Sequence, residues 1–213
     1  MPTEPTNKRL VAFVDGQALY HSAREAFGYV YPNYDVTKLA QAVADLKGWQ
    51  LVKVYFYTGI PEKHEQNFWH EFWAAKLAVM GTRNITPFTR PLRYSNKTVT
   101  LKDGTTQIVR IPREKGIDLR LALDAVRLAW QSDYDVALIF SQDQDLSEAS
   151  DEIRMISKRH RRWLKVASAY PTSTAYLNDR GIYGTEWIKI NKAMYDLCID
   201  PIDYRPKPKP PTL

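Results

Sequence analysis

Five consecutive apolar residues, Val136 to Phe140, run without alternation and stop at Ser141-Gln142-Asp143-Gln144-Asp145. An unbroken apolar run bounded by polar residues predicts a strand covered on both faces, as in the parallel sheet of an α/β protein. Ligands of such sheets bind at the carboxyl ends of strands. Chemistry is therefore expected just after Phe140. Arg9 to Gly16 has the same form, with Leu10-Val11-Ala12-Phe13-Val14 followed at once by Asp15. A helix is expected next, through Tyr20 and His21, with Asp15 able to cap it.

Val36, Leu39, Ala40, Val43 and Leu46 fall near helical spacing and predict a helix over Tyr34 to Lys47, capped by Asp35 and ended by Gly48. Leu51 to Tyr57 predicts a third strand ending before Gly59 and Pro61, and this strand-helix-strand order opens a parallel α/β sheet. Glu62 to Met80 predicts a long helix closed by Gly81, with Phe68, Trp69, Phe72, Trp73, Leu77 and Met80 as its packing face. Nucleic-acid stacking is the functional alternative for Trp69 and Trp73.

Residues 83–113 differ in texture. Ile85, Pro87 and Phe88 suggest a short strand, and Asp103-Gly104 between Val99-Thr100-Leu101 and Gln107-Ile108-Val109 is a strong hairpin signal. Arg90, Arg93, Lys97, Lys102, Arg110 and Arg113 make this inserted hairpin, about residues 90–113, basic. A basic β-ribbon suits a phosphate backbone, and a solvated hairpin with solubilising charges is the bland reading.

A helix then opens near Asp118, with Leu119, Ala122, Leu123 and Val126 assigned to one side of it. Asp118 in the first turn complements the helix dipole. Asp124 lies about 240° further around the helix and is assigned only a supporting place. Asp145-Leu146-Ser147-Glu148 matches a capping box with Asp145 as the cap. That accounts for Asp145 without chemistry and leaves Asp143 with no local acceptor role. Ser150 to Arg159 continues as helix with Ile153 and Ile156 inward, Trp163 to Tyr170 is a further strand, and Asn178 to Ile190 holds a last short element near Trp187. Residues 1–8 read as a flexible lead, 9–200 as one domain, and 201–213 as a disordered Pro/Lys tail.

Composition narrows the class. The chain has 213 residues, 44% of them hydrophobic, enough for one α/β core. No run approaches the roughly 18 apolar residues of a membrane span, and Met1-Pro2-Thr3-Glu4-Pro5 lacks a basic-then-apolar leader. A cytoplasmic location without membrane contact is expected. One cysteine, Cys198, rules out an internal disulfide and a Cys-rich metal site. His64 and His70 lack zinc-ligand spacing. Net charge is +6, with bases clustered in 83–115 and 158–165 while acids recur at strand ends. Two carboxylates held close together repel unless a proton or cation intervenes, and a hard cation is the economical explanation.

Val14-Asp15-Gly16, Lys115-Gly116-Ile117-Asp118 and Ser141-Gln142-Asp143-Gln144-Asp145 together resemble the three signature blocks of the NYN domain family, PIN-like nucleases that include the LabA/DUF88 proteins. The resemblance spans about residues 9–170. It implies a PIN-like, Rossmann-like three-layer α/β/α sandwich around a mainly parallel sheet, and metal-dependent hydrolysis of RNA. It further implies that Asp15, Asp118, Asp143 and Asp145 are catalytic and hold Mg²⁺ or Mn²⁺. Ser141, Gln17, Lys115 and Asp124 are expected to support them, and Arg90, Arg93, Arg110, Arg113 and Lys115 to contact RNA. Ala18 stands where many members carry Asn. A module that binds RNA without turnover therefore stays open, as do a phosphatase-like hydrolase, a purely capping role for the acids, and a homo-oligomeric state.

Overall fold

The structure is a computed structural model describing residues 2–101, 103–175 and 178–207. The apolar runs become the centre of one sheet. Strands β1 (Arg9–Asp15), β2 (Gln50–Ile60), β3 (Ile85–Pro91), β6 (Val136–Phe140), β7 (Lys165–Pro171) and β8 (Glu186–Ile190) pair in parallel throughout, in the order β3-β2-β1-β6-β7-β8. Strands β4 (Arg93–Thr100) and β5 (Thr106–Arg113) form a separate antiparallel ribbon. The helices are α1 (Gly16–Phe27), α2 (Val36–Lys47), α3 (Asn67–Thr82), α4 (Ile117–Trp130), α5 (Ser147–Arg159) and α6 (Lys192–Leu197).

Alternation along the central strands sorts side chains into two cores. Leu10, Ala12 and Val14 pack with α1, α2, α3 and α6, whereas Val11 and Phe13 pack with α4 and α5 on the other face. The result is the expected three-layer α/β/α sandwich with an inserted ribbon. From β1 the chain builds outward through β2 and β3, then returns past the ribbon and α4 to β6 on the opposite side of β1. That reversal puts a topological switch point between the carboxyl ends of β1 and β6, where α/β sheets open a crevice for ligands.

Some boundaries differ from expectation for physical reasons. β2 continues through Gly59 to Ile60 because Gly59 has no side chain, and the space a Cβ would take is filled by Leu92 and Glu114. Gly81 lies inside α3 and does not close it. On α4, Leu119 and Leu123 point outward, 61% and 58% exposed, and the buried face is Ile117, Leu121, Ala125 and Leu128. Two apolar stripes compete on this helix, and the entry at Gly116 sets its phase so that Ile117 is the one facing inward. Within the stretch expected as a disordered tail, Tyr204 is buried against Phe72, with the Lys76 ammonium 4.8 Å from its ring. Residues 208–213 lie outside the described residues.

Candidate functional site

Asp15 ends β1 and caps α1. Its Oδ1 accepts from the backbone N–H groups of Gln17 at 3.1 Å and Ala18 at 2.9 Å, so the carboxylate is fixed at the carboxyl end of a central strand. Asp143 follows β6 and, contrary to the expectation for Asp145, is itself the cap. Its Oδ1 accepts from Asp145 N at 3.0 Å, opening a 3-10 turn over Gln144–Leu146 that runs into α5. The inserted turn shifts the cap two residues back from the capping-box position. Ser141 Oγ accepts from Asp143 N at 3.1 Å and so orients the backbone of Asp143. Asp118 sits in the first turn of α4, reached through Gly116 with φ of 72°. A left-handed residue here turns the chain out of the ribbon and into the helix, and glycine adopts it at no steric cost.

These three carboxylates border a cavity of about 210 Å³ at the switch point, together with Ile117 and Glu114. Glu114 was not singled out from the sequence, where it stands as a lone acid in the basic run Arg110 to Lys115 beside the Lys-Gly-Ile-Asp block. Its carboxylate accepts from the backbone N–H of Gly59. Three separate segments, the end of β1, the junction of β5 with α4 and the turn after β6, thus bring four acids around one cavity.

The electrostatics register the crowding. Burial pushes the Asp15 carboxyl up to about 6, against the two backbone N–H bonds that lower it and with Asp143 and Asp118 adding to the rise. Burial likewise pushes Glu114 up to about 7, against the Gly59 bond and with help from Asp15 and Asp118. Asp15 and Glu114 therefore resist ionisation where they stand. Such a set is relieved by protons or by a cation.

Other expected residues lie elsewhere. Asp145 is exposed and does not border the cavity. Asp124 is buried and tied to Tyr57 Oη at 3.1 Å, Arg120 Nε at 2.8 Å and Arg127 Nη2 at 3.1 Å. Burial would raise its carboxyl, but these bonds more than offset that and leave it below the usual range. Its work is to fasten α4 to β2. The Lys115 side chain is exposed, and its carbonyl accepts from Arg90 Nη1 at 3.4 Å. Gln17 contributes its backbone N–H to Asp15, while its side chain lines a neighbouring, larger cleft. Arg110 is paired with Glu65 at 2.5 Å and lies over the Tyr94 ring. Arg93 and Arg113 are exposed and directly opposite each other at the base of the ribbon.

A family model of the NYN domain matches residues 9–179. The chain belongs to the NYN domain family. This is a PIN-like nuclease family whose members act on RNA and typically use divalent metal ions. Among solved structures, the chain is similar to a protein of unknown function, VPA0982 from Vibrio parahaemolyticus, with a TM-score of 0.51 and 16% identity, covering 89% of this chain and 97% of that one. At that identity the likeness is one of fold. Acinetobacter baumannii MurG aligns with a TM-score of 0.32 and 9% identity over 85% of this chain and 45% of its own, too distant to carry an argument. Curated proteins gave no significant match. Among the described residues, no helix is long and apolar enough to cross a membrane.

Among the described residues, no three His, Cys, Asp or Glu groups stand close enough to enclose a metal ion. The four acids ring a cavity without meeting at one point. This donor set is all hard oxygen, and Mg²⁺ usually keeps several waters while taking only one or two carboxylates directly. A hydrated hard dication therefore fits the site's chemistry.

Proposed function

We propose that this NYN protein is a metal-dependent ribonuclease that hydrolyses RNA phosphodiester bonds at the cavity between β1 and β6. The observation that carries the reading is the delivery of Asp15, Glu114, Asp118 and Asp143 from three segments to one cavity at the switch point. Asp15, Asp118 and Asp143 would hold Mg²⁺ or Mn²⁺, with Glu114 beside them. When bound, the ion supplies an activated water and neutralises charge developing on the phosphoryl oxygens.

The chain's own groups prepare the site. The α1 N–H groups and Gly59 N–H hold Asp15 and Glu114 in place before any ligand arrives. On the ribbon, Arg93 and Arg113 are Cα partners on neighbouring strands, and like charges directly opposite one another destabilise such a pair. A phosphate between them removes the repulsion, so this pair is the best placed of the basic residues to hold the strand. Their contacts carry no sequence information.

The test is Asp143→Asn. Asn caps nearly as well as Asp, so the variant should melt close to the unmodified protein while losing Mn²⁺-dependent RNA cleavage. Undiminished cleavage by this variant removes the ribonuclease assignment. Ala18 favours a second reading, an RNA-binding module without turnover, because it supplies only its backbone N–H to the pocket where many relatives offer an Asn. RNA binding by the unmodified protein with no product at any divalent ion would select it.

A further inference from the structure

A second cavity, about 590 Å³ and larger than the carboxylate cavity, shares Glu114 with it. It lies between α1, α3 and the base of the ribbon. Its walls include Tyr20, Trp69 and Trp73, with Leu92 and Pro112 closing the ribbon side. The Tyr20 and Trp69 rings stand 6.5 Å apart at 52°, a splayed pair with neither face covered by the other. Trp69 is half-buried, and Trp73, behind it, is packed against Phe56.

The polar groups are few and suited to one kind of guest. Among the described residues, the side-chain amides of Gln17 and Gln66 make no hydrogen bond within the protein, although both line the cleft. His21 is also at the wall, held toward its neutral form by burial and by Arg24. Neutral amides and an imidazole offer donors and acceptors together, which matches the edge of a heterocyclic base. Arg24 lies 5.9 Å from the Tyr20 ring, at the lining of the same cleft. That places a cation for the phosphate next to a stacked base. Aromatic platforms flanked by cations are the usual means of holding unpaired bases.

We propose that this cleft receives an unstacked base of single-stranded RNA adjacent to the phosphodiester presented to the carboxylate cavity. The inference rests on the ribonuclease reading for its substrate and adds the strand state: a paired, stacked base cannot reach the aromatic floor without leaving its duplex. Continuity supports it. Asp15 and Gln17 share one helix start, so the acid site and the cleft are adjacent rooms on the same strand's path. The ribbon that carries Arg93 and Arg113 also supplies Pro112 to the wall.

The experiment measures binding without turnover. In the full chain carrying Asp143→Asn, with EDTA present, the affinity for an unstructured single-stranded RNA of about a dozen nucleotides is compared with that for a blunt duplex of the same sequence. Single-stranded RNA should bind at least tenfold more tightly. Adding Trp69→Ala should lower single-strand affinity about tenfold and leave duplex affinity unchanged. Trp69→Phe, which keeps a ring, should recover most of the loss. Equal losses for single strand and duplex, or an unchanged single-strand affinity in a folded Trp69→Ala protein, overturn the proposal. So does saturation by a free mononucleotide with no gain from a longer strand, which would make the cleft a small-molecule site. Because no cleavage is read, failure here leaves the ribonuclease reading standing, and failure of the Asp143→Asn cleavage test leaves this one measurable.

Discussion

Replacing Glu114 with Gln should stabilise the metal-free protein above neutral pH. Glu114 has an ordinary value of 4.5 and a folded value of about 7. An acid raised on folding binds its proton more tightly in the native state. Its contribution is therefore intact below about 4.5, declines as pH climbs through 7, and is fully lost above. At pH 8 the ionised group costs the fold about 3 kcal/mol as an upper bound. Gln keeps the oxygen that accepts from Gly59 and carries no charge, so the variant removes the cost while leaving the contact. For a chain of this size that corresponds to a rise in Tm of roughly 5–10 °C. The assay is thermal unfolding of both proteins in EDTA from pH 4 to pH 9. The curves should coincide near pH 4 and diverge through pH 7. Added Mn²⁺ should raise the unmodified protein more than the variant, because a cation that binds only the native state stabilises by mass action. A variant no more stable at pH 8, or an advantage that persists at pH 4, refutes the claim that Glu114 stands half-buried among acids.

Three further outcomes are expected. Gly116→Ala should lower stability by about 1–2 kcal/mol, because φ is 72° and the added Cβ meets the Arg90 guanidinium, and RNA cleavage should fall as Asp118 shifts; unaltered melting and cleavage would show that the left-handed entry is dispensable. Asp145→Asn should change cleavage by less than about twofold, since its side chain is exposed outside the cavity; a loss comparable to that of Asp143→Asn, seen in the same assay, would return Asp145 to the centre of the site. Arg93→Ala with Arg113→Ala should reduce the slope of log affinity against log salt by about 1.4, at about 0.7 per single-strand phosphate contact, with fluorescence anisotropy as the readout; an unchanged slope would remove the ribbon from the RNA path.

How much of this was legible in the sequence depended on whether one local signal had a competitor. Unalternating runs at Val136–Phe140 and Arg9–Asp15 had none, and both strands lie where the pattern put them. Asp35 and Gly48 likewise cap α2 as their positions predicted, with Gly48 left-handed at φ of 67°. On α4, apolar residues occur nearly all round, so periodicity alone could not choose between the Leu119 and Ile117 stripes; the left-handed Gly116 and the burial of Asp124 against Tyr57 made the choice. Glu114 was hidden for a different reason. Its role depends on Gly59, 55 residues earlier, leaving a gap in β2 for its carboxylate, and no local pattern encodes a long-range vacancy.

The same competition decides the two acids after β6. Asp145 and Glu148 satisfy a capping box on paper, and with a helix starting at Leu146 the reading would hold. One 3-10 turn between Asp143 and Ser147 moves the first unpaired N–H back to Asp145 and makes Asp143 the acceptor. Asp143 therefore has a structural duty that the sequence concealed, yet it also borders the cavity and helps to raise Asp15. The two duties use different chemistry: capping needs only an acceptor oxygen, whereas raising Asp15 and attracting a cation need charge. Asn at 143 separates them, because it retains the first and removes the second. With Asp143→Asn in metal-free protein the Asp15 carboxyl should titrate below about 6, read by NMR. An unmoved Asp15 in a folded variant would mean that the two side chains do not share a field, and the four-acid site would have to be redrawn without Asp143.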